Sequence, residues 1–285
     1  FTNKYVLQSV KSIGEVLRES ENWHNVVVCS TVVPGSMGGQ IKATLEEASG
    51  KVVGQNVGLC YNPEFIALGS VVKDLLNPDM ILIGESDERA GAALEELYKA
   101  SVDSNPEFHR MNWVNAELTK ISVNTFVTTK ISYANMIGDM CDHLESADAD
   151  VVAEAVGADG RIGRKYLKPA IGYGGPCFPR DNKAFSAIGR RLGVNCSLAQ
   201  ATDQINDHQV ERLRGTIEAV APEGCTVAVL GMSYKPDTHV IEESQGVELA
   251  RVLAHDGYDV IIADPMAAQQ AYVALNSKVG VANSA

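Results

Sequence analysis

No apolar run in these 285 residues approaches the ~20 that a membrane helix needs. The strongest, "VVVC" and "TVAVLG", are strand-sized. The opening "FTNKYVLQSV" has no initiator Met, no basic leader and no apolar segment, so a signal peptide is not expected. The six cysteines (29, 60, 141, 177, 196, 225) contain no C-x-x-C pair, which argues against a zinc site or a disulfide framework. A reducing cytoplasm is the expected setting. His208, His239 and His255 lack partners at metal-ligand spacing, and no metal is expected. Basic residues are also in deficit: 24 Lys and Arg against 36 Asp and Glu give a net charge of -12. Nucleic acid and anionic membranes are therefore poor partners. A strand running into G-x-G-x-x-G, the usual entry to a dinucleotide fold, is missing as well; "PGSMGG" (34–39) has the wrong spacing and begins on a proline.

What is present reads as an ordinary globular chain, 45% hydrophobic and 21% charged, long enough for about two domains. Its charge is uneven. Between Arg161 and Arg191 lie eight basic residues and one acid, Asp181. A basic patch of that size on an acidic protein points to a specific anionic ligand.

Periodicity divides the chain into three segments. In the first, "YVLQSVKSIGEVLRES" is helical, "NVVVCSTVVPGS" a buried strand entering a turn, "MGGQIKATLEEAS" a helix, and "VGLCYNPEF" and "NPDMILIGES" strands. "DERAGAALEELYKASV" then opens with the acidic first turn that helices prefer. Such alternation implies a parallel, doubly wound sheet. The middle segment is helical: a spine over 115–146, "DADVVAEAVGA", and "NKAFSAIGRRLG" after a glycine loop. After the break "APEGC", the third segment runs strand, helix and strand ("TVAVLG", "ESQGVELARVLAHDG", "YDVIIADP"), again Rossmann-like but with too few strands for a whole sheet. The expected organisation is α/β: a partial Rossmann-like domain over 1–106, a central helical domain over 107–208, and the start of another Rossmann-like domain over 209–285.

The stretch "GYGGPCFPRD" (172–181) holds the strongest chemical signal. Cys177 follows three glycines and a proline, and Pro179 and Asp181 are start-of-helix residues. A helix N-terminus inside a basic patch favours a thiolate. Packing alone needs neither the glycines nor the Arg180–Asp181 pair. Glycines there let backbone N–H groups approach a ligand or an oxyanion. Lys120 and Asn124, one turn apart with Glu117 on the same helix face, offer a cation and an amide donor for developing negative charge. Thr31 and Glu64 follow predicted strands, where open α/β sheets bind ligands, and suit holding a water or moving protons. Lys235 stands just past another strand end and suits a phosphate or carboxylate.

"STVVPG", "NPEFIALGSVVKDLLNPDMILIG", "AELTKISVNTF", "RIGRKYLKPAIGYGGPCFPRDNKAF" and "VAVLGMSYKPDT" occur in the order and spacing of the nucleotide-sugar dehydrogenases, and the chain resembles that family over nearly its whole length. The resemblance implies NAD-dependent oxidation of a sugar primary alcohol to a carboxylate, with two hydrides leaving to two NAD molecules. It also implies that Cys177 attacks the intermediate aldehyde, that Lys120 and Asn124 stabilise the oxyanion beside Asp181, and that Glu64 works through a water ordered by Thr31. Thr31, Glu64 and Arg180 fall near the cofactor by the same resemblance. Arg161, reaching toward a partner subunit, and Tyr166, Lys168, Gly172, Gly174 and Lys235 fall at sugar-nucleotide positions. A UDP-sugar, UDP-glucose first, is the implied substrate, with GDP-mannose or a UDP-N-acetylhexosamine the rivals, and a homodimer through 115–146 the implied assembly. A non-catalytic sugar-nucleotide-binding dimer is the reading from another class. A two-domain β-hydroxyacid dehydrogenase, also with a long helix and a helix lysine, has no use for a glycine-embedded cysteine.

Leu68 stands where the family usually has a second Glu, and Glu242 where an arginine resembles a cofactor contact. With the glycine-rich NAD fingerprint absent, a longer natural protein is expected, and little turnover from this chain alone.

Overall fold

The computed structural model describes residues 2–222 and 224–282. It divides into two compact units, Phe1–Val123 and Asn124–Ala285. None of the described helices is long and apolar enough to cross a membrane.

In the first unit four strands, β1 (His24–Val28), β2 (Val57–Tyr61), β3 (Met80–Glu85) and β4 (Glu107–Met111), form one sheet in the order β1-β2-β3-β4. The pairs β1/β2 and β3/β4 are parallel, but β2/β3 is antiparallel, a departure from the all-parallel expectation. The connections explain it. Parallel neighbours need a crossover that packs back on the sheet. Helix α2 (Lys42–Ser49), entered through a wide turn at Met37–Ile41, buries Leu45 and Ala48 between β1 and β2. Helix α4 (Glu88–Ser101), capped by the Asp87 side chain on Ala90 N–H, buries Ala90 and Leu94 between β3 and β4. Between β2 and β3 the only regular element is α3 (Val71–Leu76), too short to cross and with no buried residue.

The core of this unit joins Val26, Val28, Leu59, Tyr61 and Leu82 of the sheet to Val10 and Leu17 of α1 (Lys4–Leu17) and Leu45 of α2. Burying each such aliphatic side chain contributes about 1.5–3 kcal/mol. Helices α1 and α2 meet at Gly14, where a Cβ would lie 2.6 Å from that of Ala48.

Helix α5 (Trp113–Asp142) contains the 123/124 division. It has no proline, and its 30 residues match the expected spine closely. The second unit continues with α6 (Ala149–Ala158), α7 (Phe178–Arg191) and α8 (Ser197–Val220), the last not expected from sequence and unbroken through the 208/209 boundary placed there. Next comes a parallel sheet β5-β6-β7 (Thr226–Leu230, Asp259–Ala263, Gly280–Val281) with α9 (Gln245–His255) and α10 (Ala268–Ala274). A third strand and α10 thus extend the two-strand reading of this segment. Val229, Met232, Leu253, Val260 and Ile262 form its core.

Candidate active site

Because β1 and β2 run parallel in register, Val28 beside Tyr61, the loops that leave them emerge on one edge of the sheet. The first carries Cys29 and half-buried Thr31, the second exposed Glu64. Loss of solvent and then the Glu64 charge push the Cys29 thiol up. Buried Asn62 fixes the second loop: its Nδ2 donates to the Leu82 carbonyl at 2.9 Å, and its Oδ1 accepts the Tyr98 hydroxyl at 2.6 Å. Lys120, on α5 and only 8% exposed, donates to the Glu64 carbonyl at 2.5 Å and lies 4.4 Å over the Phe65 ring. Lys120 thus reaches the loop after β2 through the Glu64 peptide carbonyl.

Glu117 departs from the reading that grouped it with Lys120 and Asn124. It is fully buried, and its carboxylate accepts the Gly35 and Met37 N–H groups, each at 2.7 Å. Burial pushes its carboxyl up, and the backbone donors only partly offset that. Its work is to hold the turn after β1, using N–H groups of a glycine cluster that otherwise resembles an anion nest.

In the second unit Cys177 occupies the N-cap position of α7, with Pro179 in the first turn and an exposed thiol. The Asp181 N–H returns to the Cys177 carbonyl at 2.8 Å. Asp181 itself is 0% exposed. Its Oδ2 accepts Asn124 Nδ2 at 2.6 Å, while Oδ1 takes Arg180 Nε at 2.9 Å and Nη2 at 2.8 Å. One amide and one guanidinium thus fix a buried carboxylate in the first turn behind the sulfur, as a buried charge requires. Four residues picked from sequence meet here.

The glycines before Cys177 stand where the chain leaves no room for a side chain. A Cβ on Gly174 would lie 2.2 Å from the Glu243 carbonyl oxygen, and one on Gly175 would lie 2.5 Å from the Tyr234 ring. Gly175, at φ +83°, also donates its N–H to the Glu242 carbonyl at 2.9 Å. Gly172 has no room either, with Asn206 Oδ1 2.6 Å from its missing Cβ. No side chain fits at these positions: Gly174 abuts backbone, while Gly172 and Gly175 abut the side chains of Asn206, Gln245 and Tyr234. Glu242 meets the loop through its carbonyl, with its side chain exposed, so the arginine-to-glutamate departure leaves that contact intact. Tyr234, whose hydroxyl burial and then the Cys177 charge push up, flanks the same turn. Half-buried Lys235 follows it, 5.9 Å from the Tyr234 ring centroid.

The other candidate residues lie elsewhere. Arg161 is exposed and paired with Asp159 at 2.6 Å on its own loop. Tyr166, at φ +62°, and Lys168 are exposed on the segment leading to the glycines, and Leu68 is exposed after Glu64. Sequence reasoning missed Asn135, Asp203 and Asn206, which hold the loop from behind. A signal existed: Thr125, Thr128, Ser132 and Asn135 recur every three or four residues of α5, and that polar face is the buried one.

For a dinucleotide, the described residues offer the sheet edge where the loops after β1 and β2 emerge, the position at which open α/β sheets bind ligands, with Thr31 and Glu64 on those loops. The phosphate-binding glycine turn is not in this sequence.

Three parts of one family match the chain in order. The NAD binding domain of the UDP-glucose/GDP-mannose dehydrogenase family matches residues 2–102, its central domain 114–208 and its UDP binding domain 228–285. UDP-glucose 6-dehydrogenase AglM of Haloferax volcanii is 38% identical over 90% of this chain and 60% of its own length. GDP-mannose 6-dehydrogenase of Pseudomonas syringae is 32% identical over 91% of this chain and 58% of its own. The solved UDP-glucose dehydrogenase from Pyrobaculum islandicum superposes with a TM-score of 0.91 at 37% identity, over 99% of this chain and 64% of that one. The chain thus spans about three fifths of the length of these relatives. With its NAD-binding, central and UDP-binding parts all matched in sequence order, the chain belongs to the UDP-glucose/GDP-mannose dehydrogenase family.

Proposed function

We propose that the protein containing this chain oxidises the primary alcohol of a nucleotide sugar to the carboxylate in two steps, with UDP-glucose the leading substrate. NAD supplies the hydride acceptor in each oxidation. Glu64 takes up and returns protons through a water held by Thr31 at the strand edge. After the first oxidation, the Cys177 sulfur bonds to the aldehyde carbon and the carbonyl oxygen takes a proton, giving a thiohemiacetal. Loss of hydride and a proton leaves a thioester. Water then adds, the carbon–sulfur bond breaks, and the thiol is regenerated. One alcohol, one water and two NAD+ give one carboxylate, two NADH and three protons. Lys120 and Asn124 stabilise the oxyanion that forms in addition and hydrolysis.

One observation carries the reading: an exposed cysteine heads α7, and four residues on, the buried Asp181 is held by Asn124 at 2.6 Å. A structural thiol has no need of that arrangement. The test is a panel of UDP-glucose, UDP-N-acetylhexosamines and GDP-mannose with NAD and the full-length protein. Two NADH per sugar are expected from the best substrate, and Cys177→Ala should lose the second. No NADH from any sugar, or full double oxidation by Cys177→Ala, overturns the reading. GDP-mannose stays in the panel because relatives at 32% identity carry that name.

The proposed assembly is a homodimer. Phe126, Tyr133, Met136 and Met140 stand exposed at helical spacing along α5, and a second copy of the helix is the partner that fits them.

A further inference from the structure

We infer that Asn135 and Asn206 are positioning residues for Cys177: two buried side-chain amides grip the segment 170–173 as a neighbouring β-strand would and so fix where the cysteine turn starts. The inference rests on the reaction proposed above. On α8, Asn206 Oδ1 accepts the Tyr173 N–H at 2.7 Å, and Asn206 Nδ2 donates to the Tyr173 carbonyl at 3.1 Å. On α5, Asn135 Oδ1 accepts the Ala170 N–H at 2.8 Å, and its Nδ2 donates to the Ile171 carbonyl at 3.2 Å. Asn135 is 0% exposed and Asn206 5%. A neutral amide is suited to this because it carries a donor and an acceptor in one plane. Buried without partners, each would cost several kcal/mol. Here both ends of both amides are used.

The grip extends around the turn. The Tyr173 hydroxyl donates to Asp203 Oδ1 at 2.7 Å, and the same oxygen accepts Asn182 Nδ2, on α7, at 2.8 Å. The loop before Cys177 and the helix after it therefore share one acceptor. Between the two clamps, Gly172 cannot take a Cβ without meeting Asn206 and Gln245. From Tyr173 to Cys177 little freedom remains: Gly175 is tied to the Glu242 carbonyl, and Pro176 fixes its own φ.

Cys177 is needed only after the aldehyde exists, so loosening the clamp should slow the second oxidation and spare the first. A purely structural role would lower both in proportion. The experiment follows single turnovers of the full-length protein carrying Asn206→Ala or Asn135→Ala, with hydroxylamine present in parallel to trap aldehyde. We expect the second phase of NADH formation to slow by on the order of ten- to a hundredfold. The first phase and its sugar dependence should hold, trapped aldehyde should appear, and amide exchange should rise at 170–177. Unchanged second phases with no trapped aldehyde overturn the inference, as does an equal fall in both phases. Should the alanine variants not fold, Asn206→Asp, which keeps the acceptor for the Tyr173 N–H and loses the donor, is read in the same way. Its second phase should slow relative to the parent with the first phase held, and parental kinetics in it overturn the inference. If the parent forms no NADH from any sugar, the underlying reaction is wrong and the inference falls with it.

Discussion

The first unit and the central helices bury different chemistry. Around β2 and β3 the inside is aliphatic: Leu59, Leu82 and Ile83 are fully enclosed. Along α5 and α7 the enclosed side chains include Thr125, Thr128, Ser132, Asn135, Asp181 and Asn182, while Phe126, Tyr133 and Met140 face outward. Aliphatic packing is non-directional, so it holds a sheet together and tolerates repacking. Hydrogen bonds fix distance and angle, so a polar inside sets a loop at one place. The region that stabilises and the region that aims are separate.

Swapping residues of similar volume should break the comparison most sharply. Leu82→Met in β3 should cost less than about 1.5 kcal/mol, because shape is nearly kept. Asn135→Leu should cost more, about 1–3 kcal/mol for each backbone group it strands at Ala170 and Ile171. Leu82→Ala should cost about 2–5 kcal/mol through the cavity it leaves. Urea unfolding of the three variants checks the order; an Asn135→Leu protein as stable as Leu82→Met would erase the contrast. Next comes Gly174→Ala, whose Cβ must displace the Glu243 carbonyl 2.2 Å away. We expect a loss of about 1–3 kcal/mol in melting experiments, with a slower second oxidation.

Glu117 sharpens the comparison, as a polar clamp inside the aliphatic unit. Burial outweighs its hydrogen bonds, so the folded chain holds its proton more tightly than the unfolded chain does. Its stabilising contribution is complete below the unfolded value of about 4.3 and is lost as pH rises through the raised folded value. Glu117→Gln has no such titration. The stability advantage of the parent over that variant should therefore shrink as pH rises above the ordinary glutamate value, and urea midpoints in a pH series would show it. A gap that widens instead would mean that the backbone donors outweigh burial.

The smallest effects belong outside. Met140→Ser should leave the fold within about 0.5 kcal/mol, yet shift the mass seen by sedimentation if the α5 face is the dimer contact. Asp159→Asn, which removes the charge partner of exposed Arg161, should leave melting unchanged.

Much of this was legible in the chain. Pro179 and Asp181 marked a helix start, and α7 begins at Phe178 with Cys177 at its head. Asp87 and Asp148 cap the helices that periodicity drew behind them. The β2/β3 direction was not legible, because it depends on whether the connection packs on the sheet rather than on its length. The glycine loop was legible as a special backbone but not for what it approaches. Glu117 looked like half of a surface pair because spacing gives the face of a helix and not what that face meets.

The sequence alone settled the α/β class, the family motifs and the cysteine at the head of a helix, since periodicity, caps and motif spacing are local. Only the tertiary structure decided that one strand pair runs antiparallel, that Glu117 serves the β1 turn, and that Asn135 and Asn206 hold the cysteine loop. Those contacts join positions 23 to 82 apart in the chain. Folding geometry, not the identity of either residue, selects such partners.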